Sequence, residues 1–305
     1  MFDLVAVGHF AIDRITSRKA DPPQLTLGGP PTYTSVAAAK LGAKVSVISK
    51  VGGDFQDRHL RWLRANDVDL SGLKHVKTAV TTKFRLAYSN GRRKLQLKTR
   101  APPISTEDVP DSLQAKAIHV APIANEIENT VITELRPRTE ILSLDPQGFV
   151  RTFDREGNMH QKLWKANQTL KQIDIYKSSI REIRTVTQQR KLSLAMRVIR
   201  DSGPKIVMVT QGTRGTILLA DDKFHHIPAC KPRVFRDPTG AGDALIGAFL
   251  AEYLQGTEPV WCACIGSAAS SFVVEGVGPA MFGEKKETHT RAKRIYEKGL
   301  SSIHV

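Results

Sequence analysis

The chain has 305 residues, of which 41% are hydrophobic and 25% charged, and it carries a formal net charge of +15. That length suits one large α/β domain with a sizeable core, and the composition excludes a disordered or fibrous chain. The positive excess favours anionic partners, and three cysteines are too few for a disulfide framework.

The N-terminal stretch "DLVAVGH" (3–9) is a continuous apolar run and predicts a buried first strand. It lacks the basic segment and cleavage site of a secretion signal. "TYTSVAAAKLGA" (32–43) predicts a helix, "KVSVISKVG" (44–52) a strand, and "FQDRHLRWLRAND" (55–67) an amphipathic helix. "TTKFRLAYSNGRRKLQLKT" (81–99) alternates with period two around Asn90-Gly91, a hairpin signal, because both turn residues tolerate positive φ. The hairpin is either an edge decoration or a lid over a site. Further apolar strands are predicted at 117–122, 141–147, 173–179 and 205–212, mostly separated by helical segments. Such alternation predicts a doubly wound, mainly parallel sheet with helices on both faces. The expected organisation is one domain over 1–305, with a small β lid at about 81–99. Ligands of such sheets sit beyond the carboxyl ends of strands, which draws attention to Asp13, Asp145, Ser179 and Thr210.

Other features have plainer readings. His9 reads as a satisfied core histidine, and His225-His226 as a strand pair with one side chain in and one out. Cys262 and Cys264 stand two apart on a predicted helix, so they diverge and read as small buried hydrophobes, not metal ligands. The longest apolar helical run, "ALIGAFLAEYL", is too short to cross a bilayer. Sparse cysteines and no predicted membrane segment together imply a cytoplasmic protein. The basic pieces "GRRKLQLK", "RPR" and "KKETHTRAKR" read as solvated faces, with no aromatic interleaving for stacking bases. Specific nucleic-acid binding is therefore not expected.

The densest chemistry lies in "RDPTGAGDALIGAF" (236–249). Glycines let a ligand approach the backbone, and a helix start presents unpaired N–H groups and partial positive charge to anions. Asp243 then stands where an anion should bind. One reading is an ordinary first-turn acid favoured by the helix dipole. The other is a base that takes the proton of a hydroxyl attacking phosphorus, while the N–H groups hold the charge of the transferring group.

Four segments in order, "VGHFAID" (7–13), "GGPPTYTSVAAAKLGAKVSVISKVGGD" (28–54), "VTQGTRG" (209–215) and "DPTGAGD" (237–243), resemble the motifs of the ribokinase, or PfkB, family of carbohydrate kinases. The resemblance implies ATP as phosphoryl donor, Asp243 as catalytic base, and Gly240, Ala241 and Gly242 as anion hole. It further implies Asp13, Gly28 and Gly29 around the acceptor hydroxyls, and Thr210, Gly212, Gly215 and Thr239 beside ATP. The family's Asn-x-x-Glu, which organises Mg²⁺ through water, is matched by "KSSIRE" (177–182): Glu182 is retained, and Ser179 stands at the asparagine position. Tyr33 replaces an asparagine common in sugar-specific members. With "DPQGFVR" and "GRRKLQLKTRAPPI", it resembles the myo-inositol kinase branch of plants and archaea. That resemblance adds Tyr33, Gln147 and Arg151 to the acceptor pocket; the plainer readings are core packing for Tyr33, a strand-end turn for Gln147, and a solvent-facing arginine. The expected function is ATP-dependent phosphorylation of a small polyol, myo-inositol first. The alternatives are a sugar or nucleoside kinase of the same family, and a non-catalytic basic nucleic-acid-binding or regulatory protein on a kinase fold. A homodimer paired through the lid is a further expected arrangement.

Overall fold

The computed structural model describes residues 1–16, 22–89 and 92–297. A ten-stranded sheet forms its centre. Its order runs Lys223–Ile227, Thr216–Ala220, Ile206–Thr210, Ile175–Ser179, Thr139–Leu144, Ala115–Val120, Phe2–Val7, Val45–Gly52 and Val68–Asp69, with Leu73–Val76 also paired to Val45–Gly52. Thr216–Ala220 is antiparallel to both its neighbours; the other pairings are parallel. The continuous apolar runs follow from burial on both faces. In Phe2–Val7, Leu4 and Ala6 join one core cluster while Val5 and Val7 join the other.

Helices cover both faces. Pro30–Lys40, Ala241–Tyr253 and Pro259–Val273 pack on one side, where residues 244 to 251 are all buried. A helix buried all round reads apolar all round, which explains "ALIGAFLA". The helix fits between its neighbours because Gly247 has no side chain: a Cβ there would stand 2.2 Å from the Thr34 carbonyl oxygen. Cys262 and Cys264 are buried in the third helix, as expected of small hydrophobes.

A second, four-stranded sheet has the order Gln24–Gly28, Ala11–Thr16, Thr82–Ser89 and Arg92–Thr99. The predicted hairpin supplies two of its strands, antiparallel as expected; its Asn90-Gly91 turn lies outside the described residues. The other two strands correct the sequence reading. Asp13 does not follow the first strand, which ends at Val7, but sits inside Ala11–Thr16. Gly8 marks the change of sheet, passing so close to Ala121 that a Cβ would stand 2.5 Å from its carbonyl oxygen. His225 and His226 are both half-buried, not one in and one out, because the pair lies on the outermost strand of the large sheet.

Asp54 of the "GGD" triplet ties to the start of the strand Thr82–Ser89 of this sheet. Its carboxylate accepts 2.7 Å bonds from the Thr81 N–H and hydroxyl and pairs with Lys83 at 2.6 Å. Burial pushes the carboxyl up, but the bonds from Lys83 and Thr81 outweigh it and bring the pKa down from 3.8 to about 2. A depressed folded pKa stabilises fully above the unfolded value and is lost as pH falls through the folded one. Asp54→Asn should therefore be less stable than the parent at neutral pH, with the difference shrinking between pH 3.8 and about 2, as read by chemical denaturation. Gly247→Ala should lose about 1–3 kcal/mol by the same measurement, through overpacking against Thr34.

Candidate active site

Two cavities meet at the start of the helix Ala241–Tyr253. One, of about 220 Å³, lies between the sheets and is lined by Asp13, Gln147, Arg151, Lys177, Glu182 and Asp243, with Phe84, Leu86 and Leu95 from the lid. The other, of about 300 Å³, is a more apolar cleft lined by Thr210, Gly212, Gly215, Phe235, Leu245 and Val274. Gly242 lines both.

The helix start is shaped by what cannot be there. Gly240 has φ 79°, and a Cβ on it would lie 2.2 Å from the Tyr33 ring. A Cβ on Gly242 would lie 2.8 Å from Lys177 Nζ. Before them, Asp237 is buried and accepts from the Thr239 N–H and hydroxyl, folding "DPTG" into the turn that delivers the helix. Thr34, on the helix that follows Gly28-Gly29, donates its hydroxyl to the Asp243 carbonyl at 3.1 Å. Asp243 itself is half-buried on the cavity wall.

In the small sheet, the strand Ala11–Thr16 puts Ala11, Asp13 and Ile15 on one face, and all three are buried. Asp13 is 5% exposed and lines the cavity between the sheets. Gly28 gives it room, since a Cβ there would meet Asp13 Oδ2 at 2.1 Å. Gly28 thus backs Asp13, while Gly29 lines the cavity with φ 86°. The small sheet is tied down at one edge: Leu97 N–H donates to the Gly157 carbonyl at 2.8 Å.

Beyond the strand ends lies a charged cluster. Lys177 and Asp145 form a buried ion pair at 2.6 Å. Glu182 accepts from the Ser179 N–H at 2.8 Å and hydroxyl at 2.7 Å, and lies 3.5 Å from Arg151. Ser179 and Glu182 form a capping box at the start of Ile180–Thr187, so serine at the asparagine position has a local helix-starting reason. Burial opposes charge on Lys177, yet Asp145, Asp243 and Glu182 around it hold its pKa above the ordinary lysine value. Burial pushes the Asp145 carboxyl up, Lys177 pulls it down, and Glu182 and Asp243 push it up further; the net direction is upward. Burial also raises Glu182, but Arg151 and the Ser179 bonds bring it below the usual range.

Of the residues singled out in the sequence, Asp13, Gly29, Tyr33, Gln147, Arg151, Glu182, Thr210, Thr239, Gly240, Gly242 and Asp243 share the first cavity. Ala241, Gly212 and Gly215 lie on the second, with Thr210 and Gly242 common to both. Tyr33 is 1% exposed, so its main part is packing against Gly240. Arg151 is not solvent-facing but buried against Glu182. His9 is a core residue, its Nδ1 2.8 Å from the Thr82 hydroxyl and its Nε2 3.0 Å from the Pro102 carbonyl. Sequence reading passed over Lys177 and Asp237. The signal for the first was a lysine inside "IDIYKSS", which predicts a buried strand.

The family model for pfkB family carbohydrate kinases matches residues 1–286. The chain therefore belongs to this family. It is 29% identical to a cytidine kinase of Thermococcus kodakarensis over 87% of this chain and 94% of that one. It is 28% identical to a nucleoside kinase of Methanothermobacter thermautotrophicus over 90% of each chain. In structure it is similar, at TM-score 0.80 and 24% identity over 94% of this chain and 99% of the other, to a pyrophosphate-dependent ribokinase-family kinase complexed with a pyrophosphate analogue and myo-inositol. The protein is a carbohydrate or nucleoside kinase with the ribokinase fold. Another structure of the same fold, a ribokinase II of E. coli similar at TM-score 0.78 and 19% identity over 96% of this chain and 100% of the other, is complexed with ATP and Mg²⁺. Among the described residues, no helix is long and apolar enough to cross a membrane.

Asp243→Asn should lower kcat by about 10²–10⁴-fold in steady-state assays, the usual worth of a general base. Affinity for ADP, measured by calorimetry, should stay unchanged.

Proposed function

We propose that this kinase transfers the γ-phosphoryl group of ATP to a hydroxyl of myo-inositol. The observation that carries the acceptor reading is the first cavity. At about 220 Å³ it is smaller than the roughly 300–1,000 Å³ of pockets for drug-sized ligands. Polar groups enter it from separate directions: Asp13 from the lid, Gln147 and Arg151 from the turn after Thr139–Leu144, and Asp243 from the helix. A compact ring bearing hydroxyls all round can satisfy all of them, while Phe84, Leu86 and Leu95 cover its C–H face. The myo-inositol in the structurally similar kinase supports the same reading.

The donor reading rests on the second cleft. Phe235, Leu245 and Val274 suit the flat base of a nucleotide, which pyrophosphate lacks. Asp243 takes the acceptor proton as its oxygen bonds to the γ-phosphorus and the bond to the β–γ bridging oxygen breaks, releasing ADP. The N–H groups at Gly240 and Gly242 meet the charge of the group in transit, while that of Ala241 donates to the Pro238 carbonyl at 3.2 Å. Magnesium, when bound, neutralises donor phosphates. Glu182 has its oxygens engaged by Ser179 and Arg151, which fits holding the ion through water. No cluster of three or more acidic, histidine or cysteine side chains able to hold a metal occurs among the described residues.

A nucleoside acceptor is the second reading, favoured by Phe84 on the cavity wall and by the cytidine and nucleoside kinases among the relatives. Initial rates with ATP separate the two. Myo-inositol should exceed ribose, adenosine and cytidine in kcat/KM by about tenfold or more, since a mismatched acceptor leaves buried polar groups unpaired. A best rate with cytidine would replace the polyol reading with the nucleoside one.

A further inference from the structure

We propose that Lys177 is a catalytic residue of the transfer: its ammonium, lodged between Asp145 and the bare face of Gly242, takes up the negative charge of the phosphoryl group as it crosses from donor to acceptor. This rests on the kinase assignment and not on the identity of the acceptor.

Position is the first argument. Gly242 lines both cavities, as Thr210 and Pro238 do, and the Lys177 ammonium lies against it. The junction between donor cleft and acceptor cavity is where the transferred group must pass. A side chain at 242 would fill the space between the ammonium and that path.

Charge is the second. Asp145, Glu182 and Asp243 all line the acceptor cavity. Left alone, these carboxylates would repel a phosphoryl group. Arg151 is tied to Glu182 at 3.5 Å, and the helix start adds about half an elementary charge. Lys177 brings a full charge and three N–H donors, of which the bond to Asp145 uses one. It is a compact point charge, which suits the confined space beside Gly242 better than a planar guanidinium.

Cost is the third. Lys177 is 4% exposed within Ile175–Ser179. A buried ion pair is a weak source of stability, and apolar residues of similar volume often do as well. A lysine retained there, opening onto a cavity, therefore asks for a chemical role.

The obvious variant, Lys177→Met, leaves Asp145 buried without its partner, so its failure to fold would decide nothing alone. The Asp145→Asn/Lys177→Met double variant carries no orphaned charge and decides the matter. Turnover is measured with the best acceptor; a parent that turns over none of them tests the kinase reading separately. In the double variant kcat should fall about 10²–10³-fold, the worth of one transition-state donor, with acceptor KM within about threefold of the parent. ADP should bind as in the parent, while ADP with aluminium fluoride, a mimic of the phosphoryl group in transit, should lose about tenfold or more in affinity by calorimetry. Asp145→Asn alone, which keeps the ammonium, should lose about tenfold less activity than the double variant. A double variant that recovers turnover to near the parent would make Lys177 a structural partner of Asp145 and overturn the proposal. So would unchanged affinity for the fluoride mimic, or an Asp145→Asn variant as slow as the double, which would move the role to Asp145.

Discussion

The site depends on one packing contact, the face of the helix Pro30–Lys40 against the start of Ala241–Tyr253. Tyr33 lies where a side chain on Gly240 would go, and the Thr34 carbonyl lies where one on Gly247 would go. Thr34 also holds the Asp243 carbonyl, 209 residues away in the chain. The two glycine-rich signatures, remote in sequence, are thus two halves of one interface. The first glycine pair sends its helix out at the right place; the second set lets the other helix come close. The direction of the helix start, and with it the aim of its N–H groups and of Asp243, follows from how tightly these surfaces meet.

Around that frame the electrostatics are crowded. Asp145, Glu182 and Asp243 share a small cavity with Lys177 and Arg151. Away from bulk water such charges act on each other far more strongly than at a surface. The protein holds them by giving each carboxylate of the strand-end cluster its own structural tie. Asp145 accepts from the Gln147 N–H at 3.1 Å, and Glu182 closes the capping box with Ser179. These ties also fix where the acids stand, so fold and charge pattern are set by the same bonds.

How much of this was legible in the sequence depended on range. Strands buried on both faces announce themselves by unbroken apolar runs, so the central sheet could be read. Its boundaries shifted by a few residues: the helix expected over 32–43 runs Pro30–Lys40, and the strand expected over 205–212 is Ile206–Thr210. The glycine turns were legible because their requirement is local. The extent of the lid was not. "FAID" continues the apolar character of "DLVAV", and nothing between them but Gly8 marks the passage to a second sheet. Arg151 could not be recognised as buried, because its burial comes from Glu182 on another element. Lys177 was hidden for a similar reason: the strand is read by its apolar majority, and only tertiary structure shows that its one long cation ends at Gly242.

The two walls of the cavity between the sheets have different owners. Asp13, Phe84, Leu86 and Leu95 belong to the small sheet, while Asp145, Lys177, Glu182 and Asp243 belong to the large sheet and its helices. On the reading proposed above, the residues that meet the acceptor and those that move the phosphoryl group stand on separate sheets, so a change of acceptor need not disturb the groups that carry the reaction.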